Sequence, residues 1–159
     1  MTTISGRISL RRAESDDAVP IAALLGELGH PVDAADVPER LARVLREGGE
    51  VLVAVADDGV PLGLISLARH AAIHTAGPVG YIMALVTADS ARRRGVGKLL
   101  VEAAKDWAAR EGCVRLSVTS AERRADAHAF YPACGMPYTG RRFATEIPAP
   151  ARRVSEDER

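Results

Sequence analysis

The sequence lacks an excess of charge of either sign, with 21 Lys and Arg against 21 Asp and Glu in 159 residues. Phosphate-driven nucleic-acid binding needs an uncompensated basic face, so that class is excluded for the chain as a whole, although local basic clusters can still bind smaller anions. Lysine is nearly missing: only Lys98 and Lys105 interrupt an otherwise all-arginine set, which reads as codon bias. Cysteine is scarce too. Cys113 and Cys134 are too few for a disulfide framework, which points to a reducing compartment, and both read as small buried hydrophobes. No apolar run approaches the span of a bilayer, and Met1 to Arg7 lacks the apolar core of a signal peptide. The expectation is a soluble, cytoplasmic protein without a membrane partner. Internal repeats are also lacking. What remains, at 47% hydrophobic residues, is one domain with a real core, placed at residues 1–147 and followed by a Pro-, Arg- and Glu-rich tail at 148–159.

Ile8 to Arg12 alternates as a half-buried strand, and Ser15 or Asp16 offers an N-cap to the apolar stretch Val19 to Leu28. His30-Pro31 ends that helix, and Asp36 opens a second amphipathic one with Val37, Leu41, Val44 and Leu45 on one face. Val51 to Ala56 and Leu62 to Ala68 flank Asp58-Gly59 as an antiparallel hairpin. The apolar run Gly80 to Thr87 suits a central strand buried on both faces. A helix follows from Gly95 to Glu111, then a strand at Val114 to Thr119, a short helix at Ala125 to Ala133 and a last strand at Arg141 to Glu146. This order predicts an α/β fold with a mixed central sheet and helices on its faces.

The most informative stretch runs from Leu85 to Lys98, where a strand passes through Arg92-Arg93-Arg94-Gly95-Val96-Gly97 into a helix. A first helical turn leaves about four amides without intrahelical partners and carries roughly half a positive charge. Gly95 and Gly97 remove side chains so that a pyrophosphate can approach those amides. Two familiar phosphate loops are absent. A Walker A loop needs Gly where Arg92 stands and Ser or Thr at Leu99, and a dinucleotide fingerprint needs Gly at Leu100.

Arg92-x-x-Gly95-x-Gly97 after an apolar strand resembles the acetyl-CoA signature of GNAT N-acetyltransferases. Phe130-Tyr131-x-x-x-Gly135 resembles the second motif of that family, and the element order matches along most of the chain. Within the family, Ala127-His128 ahead of Phe130-Tyr131, with Arg124, is similar to aminoalkylphosphonate and small-amine acetyltransferases. The resemblance implies a sheet of about six or seven strands with about four helices, and a splayed central strand pair that holds CoA. It implies pantetheine on the main chain of Leu85 and Thr87, pyrophosphate on the amides from Arg93 through Gly95, Val96 and Gly97 to Lys98, and Arg92, Arg93 or Arg94 on phosphates. It also implies Tyr131 as general acid to the leaving thiolate, the amide of Val86 or a neighbour as oxyanion donor, and Glu27 and Tyr81 in the acceptor site.

The implied activity is acetyl transfer from acetyl-CoA to a primary amine of a small molecule, directly and through a tetrahedral intermediate. A non-catalytic acyl-CoA sensor and a protein lysine or N-terminal acetyltransferase are the alternatives. By analogy with the family, the chain is expected to pair as a homodimer. Many relatives carry a central-strand Glu where this chain has Met83-Ala84. The omission matters because an amine of pKa ~10.4 costs roughly 4–5 kcal/mol to deprotonate at neutral pH. Imidazole titrates near neutrality, so His74 or His128 is expected to replace the missing carboxylate. No third ligand stands at zinc spacing beside His70 and His74, and no metal is expected. The similarity to aminoalkylphosphonate acetyltransferases implies that Arg69, Arg141 or Arg142 could read an acidic group on the acceptor, but taken by themselves these residues read as ordinary surface charge.

Overall fold

A computed structural model describes residues 6–120 and 125–149. Among them, strands β1 (Ser9–Arg12), β2 (Glu50–Val55), β3 (Pro61–His70), β4 (Val79–Thr87) and β5 (Arg115–Val118) form one sheet in chain order. Every neighbouring pair is antiparallel except β4 and β5, which run parallel. Helices α1 (Ala18–Leu28) and α2 (Val37–Arg46) lie between β1 and β2, α3 (Val96–Arg110) between β4 and β5, and α4 (Ala125–Ala133) after β5. None of the helices among the described residues is long and apolar enough to cross a membrane.

Strand alternation sorts the core into two layers. Val51, Val53, Val55, Leu64 and Val86 pack with Ile21, Leu24 and Val37 on the α1 and α2 face. Ala54, Ile65, Leu67 and Ile82 meet Val96, Leu100, Ala104 and Trp107 of α3 on the other face. The close seating of α3 depends on Gly63 in β3. A Cβ there would stand 2.7 Å from Val96 Cγ1 and 3.1 Å from Leu100 Cδ1, so only glycine lets the helix lie this near the sheet.

The structure corrects three expectations. The sheet has five strands among the described residues, fewer than six or seven. Arg141 to Glu146 forms no strand. Pro137 and Pro148 lack a ladder donor, Gly140 weakens the run, and Phe143 at 91% exposure has no apolar surface to pack on. The tail beyond 149 and residues 121–124, including Arg124, lie outside the described residues. Ser15 and Asp16 do not cap α1; Asp17 holds the N-cap position. Its carboxylate accepts two bonds from the Arg11 guanidinium, at 2.7 and 2.9 Å, and one from the Glu14 amide at 2.8 Å. The cap position went to the residue that a strand arginine could also reach.

Arg11 holds the Asp17 carboxyl below its ordinary range, against the opposing effect of burial, with the Glu14 amide adding to the lowering. A depressed carboxyl stabilises the fold above its unfolded pKa of about 3.9, and that contribution is lost as pH falls through the folded value. Asp17→Ala is therefore expected to cost about 2 kcal/mol in urea unfolding at neutral pH. The gap from wild type should narrow below about pH 4; a gap independent of pH would contradict the ion-pair account.

Candidate active site

The site begins where β4 loses one neighbour. β4 pairs with β3 from His70↔Val79 to Gly63↔Thr87, but with β5 only from Val79↔Arg115 to Ile82↔Val118. From Met83 to Thr87 its β5 side has no strand partner among the described residues. The register with β3 shifts at the same place, from Leu67↔Ile82 to Ser66↔Ala84, so Met83 is an extra, bulged residue. A bulge reverses which face later side chains meet. Ile82 lies in the α3 core while Val86, four positions on, lies in the α1 and α2 core, and Met83 itself is left 62% exposed. The expectation that Gly80 to Thr87 is buried on both faces holds only in part: Gly80, Ile82 and Val86 are buried, Tyr81, Ala84, Leu85 and Thr87 are half-buried, and Met83 is exposed.

At the end of β4 the chain turns through a single 3-10 turn, Asp89–Ala91, and enters α3. The turn is tied down from α1, because the Glu27 carboxylate accepts from the Asp89 amide at 3.1 Å. Arg92 pairs with Asp89 at 2.9 Å. Arg93 is the non-glycine residue with positive φ among the described residues, at 61°, and Gly95 follows at 78°. Left-handed backbone in a phosphate loop turns successive amides toward one concavity. No side chain caps α3 and no acidic residue stands in its first turn. The first intrahelical bond is Leu99 N to Gly95 O at 3.0 Å, which leaves the amides of Val96, Gly97 and Lys98 upstream of it.

The two glycines act differently. A Cβ on Gly95 would meet nothing within 4 Å, whereas one on Gly97 would stand 3.2 Å from Phe130 Cζ and 3.7 Å from Thr87 Oγ1. Gly95 thus supplies backbone conformation, and Gly97 supplies room for α4 against the end of β4. α4 is also held by Lys105, whose Nζ donates to Cys134 O at 2.5 Å. Tyr131, next in the chain, is half-buried and lies edge-to-face with Phe130 at 5.2 Å. Burial pushes the Cys113 and Cys134 thiols up, away from the reactive thiolate.

A cavity of about 360 Å³ opens at the parting of β4 and β5, lined by His70, Tyr81, Ile82, Met83, Thr119 and Arg142. Tyr81 lines this cavity and Glu27 does not. In the sequence His70 stands out only as a neighbour of His74, without a place in an element. It ends β3 instead, two positions beyond the partner of Tyr81, and packs edge-to-face on that ring at 5.7 Å. Only the hairpin register reveals this. His74 and His128 are exposed and line no part of the cavity.

Residues 19–136 match the acetyltransferase (GNAT) family. The chain belongs to the GNAT family. It is 32% identical over 142 residues to an aminoglycoside N(6')-acetyltransferase type 1 of Stenotrophomonas maltophilia, covering 87% of this chain and 92% of that one. The solved aminoglycoside N-acetyltransferase AAC(6')-Iy in complex with CoA superposes with a TM-score of 0.79 at 18% identity, over 94% of this chain and 100% of that one. An acetyltransferase of Trypanosoma brucei does so at 0.77 and 24% identity, over 89% and 100%. This GNAT chain is thus an acetyl-CoA-dependent acetyltransferase. The unpaired half of β4, the uncapped start of α3 and the open space at Gly95 fit a CoA molecule.

The glycine distinction is measurable. Gly95→Ala meets open space, so the loop can relieve a left-handed strain of roughly 1–2 kcal/mol by leaving that conformation; its Kd for acetyl-CoA should then rise about ten-fold while the thermal midpoint falls by no more than a few degrees. Gly97→Ala should instead lower the midpoint by several degrees through Phe130. Equal effects of the two substitutions on binding and midpoint would refute separate roles.

Proposed function

We propose that this GNAT chain moves the acetyl group of acetyl-CoA to the primary amine of a small molecule, directly and through a tetrahedral intermediate. The observation that carries this reading is the cavity at the strand fork. Its volume falls in the range of about 300–1,000 Å³ common for small-molecule sites, and it adjoins the unpaired edge of β4 along which pantetheine would run. The small-molecule acceptor of the Stenotrophomonas maltophilia relative supports the same class.

In this mechanism the amine nitrogen bonds to the thioester carbon and gives up one proton, the C–S bond breaks, and the thiolate takes up one proton. His70 on the cavity wall receives the proton from the amine, directly or through one water. It takes the place assigned to His74 or His128, because it is the histidine that faces the acceptor space. Tyr131 supplies the proton to sulfur, and a β4 amide at Val86 or beside it steadies the developing oxyanion. Pantetheine lies along Leu85 and Thr87, and phosphates lie on the amides from Arg93 to Lys98 with the arginines around them.

Thiol release from acetyl-CoA, measured with aminoglycosides, polyamines, aminoalkyl anions and lysine peptides, tests the reading. Tyr131→Phe and His70→Gln should each lower kcat by about a hundred-fold, and His70→Gln should also flatten the fall in rate at acid pH. His74→Ala and His128→Ala should keep the wild-type pH profile. Tight acetyl-CoA binding without thiol release from any amine would instead make the chain a sensor.

A further inference from the structure

From the charges around the acceptor cavity we infer that the amine it takes also carries an oxyanion, a phosphate, phosphonate or carboxylate, which Arg142 binds. The inference rests on the small-molecule acetyltransfer proposed above and names the class of its acceptor.

The cavity is lined by one guanidinium, one imidazole, one phenol, one hydroxyl and two apolar side chains. No carboxylate lines it among the described residues. A polycationic acceptor would leave its additional charges facing Arg142 with nothing to neutralise them, at a cost that grows as the cavity excludes water. An acceptor with one amine and one oxyanion meets the opposite situation, because the guanidinium fork offers paired donors to two oxygens.

Arg142 differs from five paired arginines in what it touches, and it is the arginine that lines the cavity. Arg11, Arg12, Arg46, Arg69 and Arg92 are each paired with a carboxylate, on Asp17, Glu50, Glu39, Glu111 and Asp89. Arg142 instead donates to the Thr119 hydroxyl at 3.3 Å, a neutral and long bond that leaves its charge uncompensated among the described residues. Thr119 directly follows the last paired residue of β5, so this bond draws the segment after α4 across the mouth of the fork. The run that fails to become a strand thereby forms part of the acceptor wall. Arg69, one residue before His70, is held by Glu111 at 2.9 Å and does not line the cavity.

Amines that share a two-carbon spacer and differ in the terminal group test the charge preference. We expect the wild-type enzyme to acetylate 2-aminoethyl phosphate or 3-aminopropanoate with kcat/KM roughly ten- to a hundred-fold above that for 1,2-diaminoethane, with 2-aminoethanol between them. The better of the two anions names the oxyanion. Arg142→Glu should invert the order, favouring the diamine, which a merely unfolded variant cannot do, and Arg142→Lys should keep the order with a raised KM for the anion. Equal use of all four amines, a wild-type preference for the diamine, or an unchanged order in Arg142→Glu would overturn the inference while leaving acetyltransfer intact. Failure of every amine in this set and in the wider panel would overturn both.

Discussion

β4 carries one residue more than β3 can pair, and the site is built on that mismatch. The extra residue is Met83, and pairing between β4 and β5 ends one position before it. Up to Ile82 the strand is an ordinary central member of the sheet, fixed on both sides. Beyond it the strand keeps β3 and gives up β5, so one row of main-chain donors and acceptors has no strand partner among the described residues. Buried backbone groups of this kind are costly unless something bonds them, and an extended chain of amides such as pantetheine can do so in the manner of an added strand. The bulge also turns Leu85 toward the α3 core and Ala84 and Val86 toward the α1 and α2 core. The unpaired edge of β4 and the cavity beside it consequently share one point of origin.

The remaining parts hold that point in place from three directions. Gly63 lets α3 lie against β3, which brings the uncapped helix start to the end of β4. Glu27 holds the intervening turn from α1. Gly97 and Phe130, with Lys105 on the Cys134 carbonyl, seat α4 against the same strand end. Much of the polar bonding that shapes the site thus comes from structural residues, while the residues assigned to chemistry remain half-buried or exposed around the opening.

The element order and the loop that leads into α3 were legible because each leaves a local trace in the chain, whereas the splayed strand pair was implied only by the family resemblance. The Arg92-x-x-Gly95-x-Gly97 spacing and the Phe130-Tyr131-x-x-x-Gly135 run are contiguous. Hairpin turns announce themselves at Asp58-Gly59, where Gly59 adopts φ 77°. The bulge at Met83 was not legible, because Ile82, Met83, Ala84, Leu85 and Val86 are all apolar and show no alternation to break. His70 was missed for a related reason: its approach to Tyr81 depends on the register of β3 against β4, which no local pattern encodes. Arg141 to Glu146 alternates convincingly, yet alternation fits a strand only where a neighbour and an apolar surface are available to it. Gly97 was assigned to phosphate access, and only the packed structure shows Phe130 against it.

Amide hydrogen exchange of the protein with and without acetyl-CoA tests the central claim most directly. If the unpaired half of β4 is the cofactor edge, binding should slow exchange at amides between Met83 and Thr87 and in the first turn of α3, while the doubly paired residues Val79 to Ile82 stay unchanged. Protection confined to the first turn of α3, with none in β4, would show that CoA binds without entering the fork.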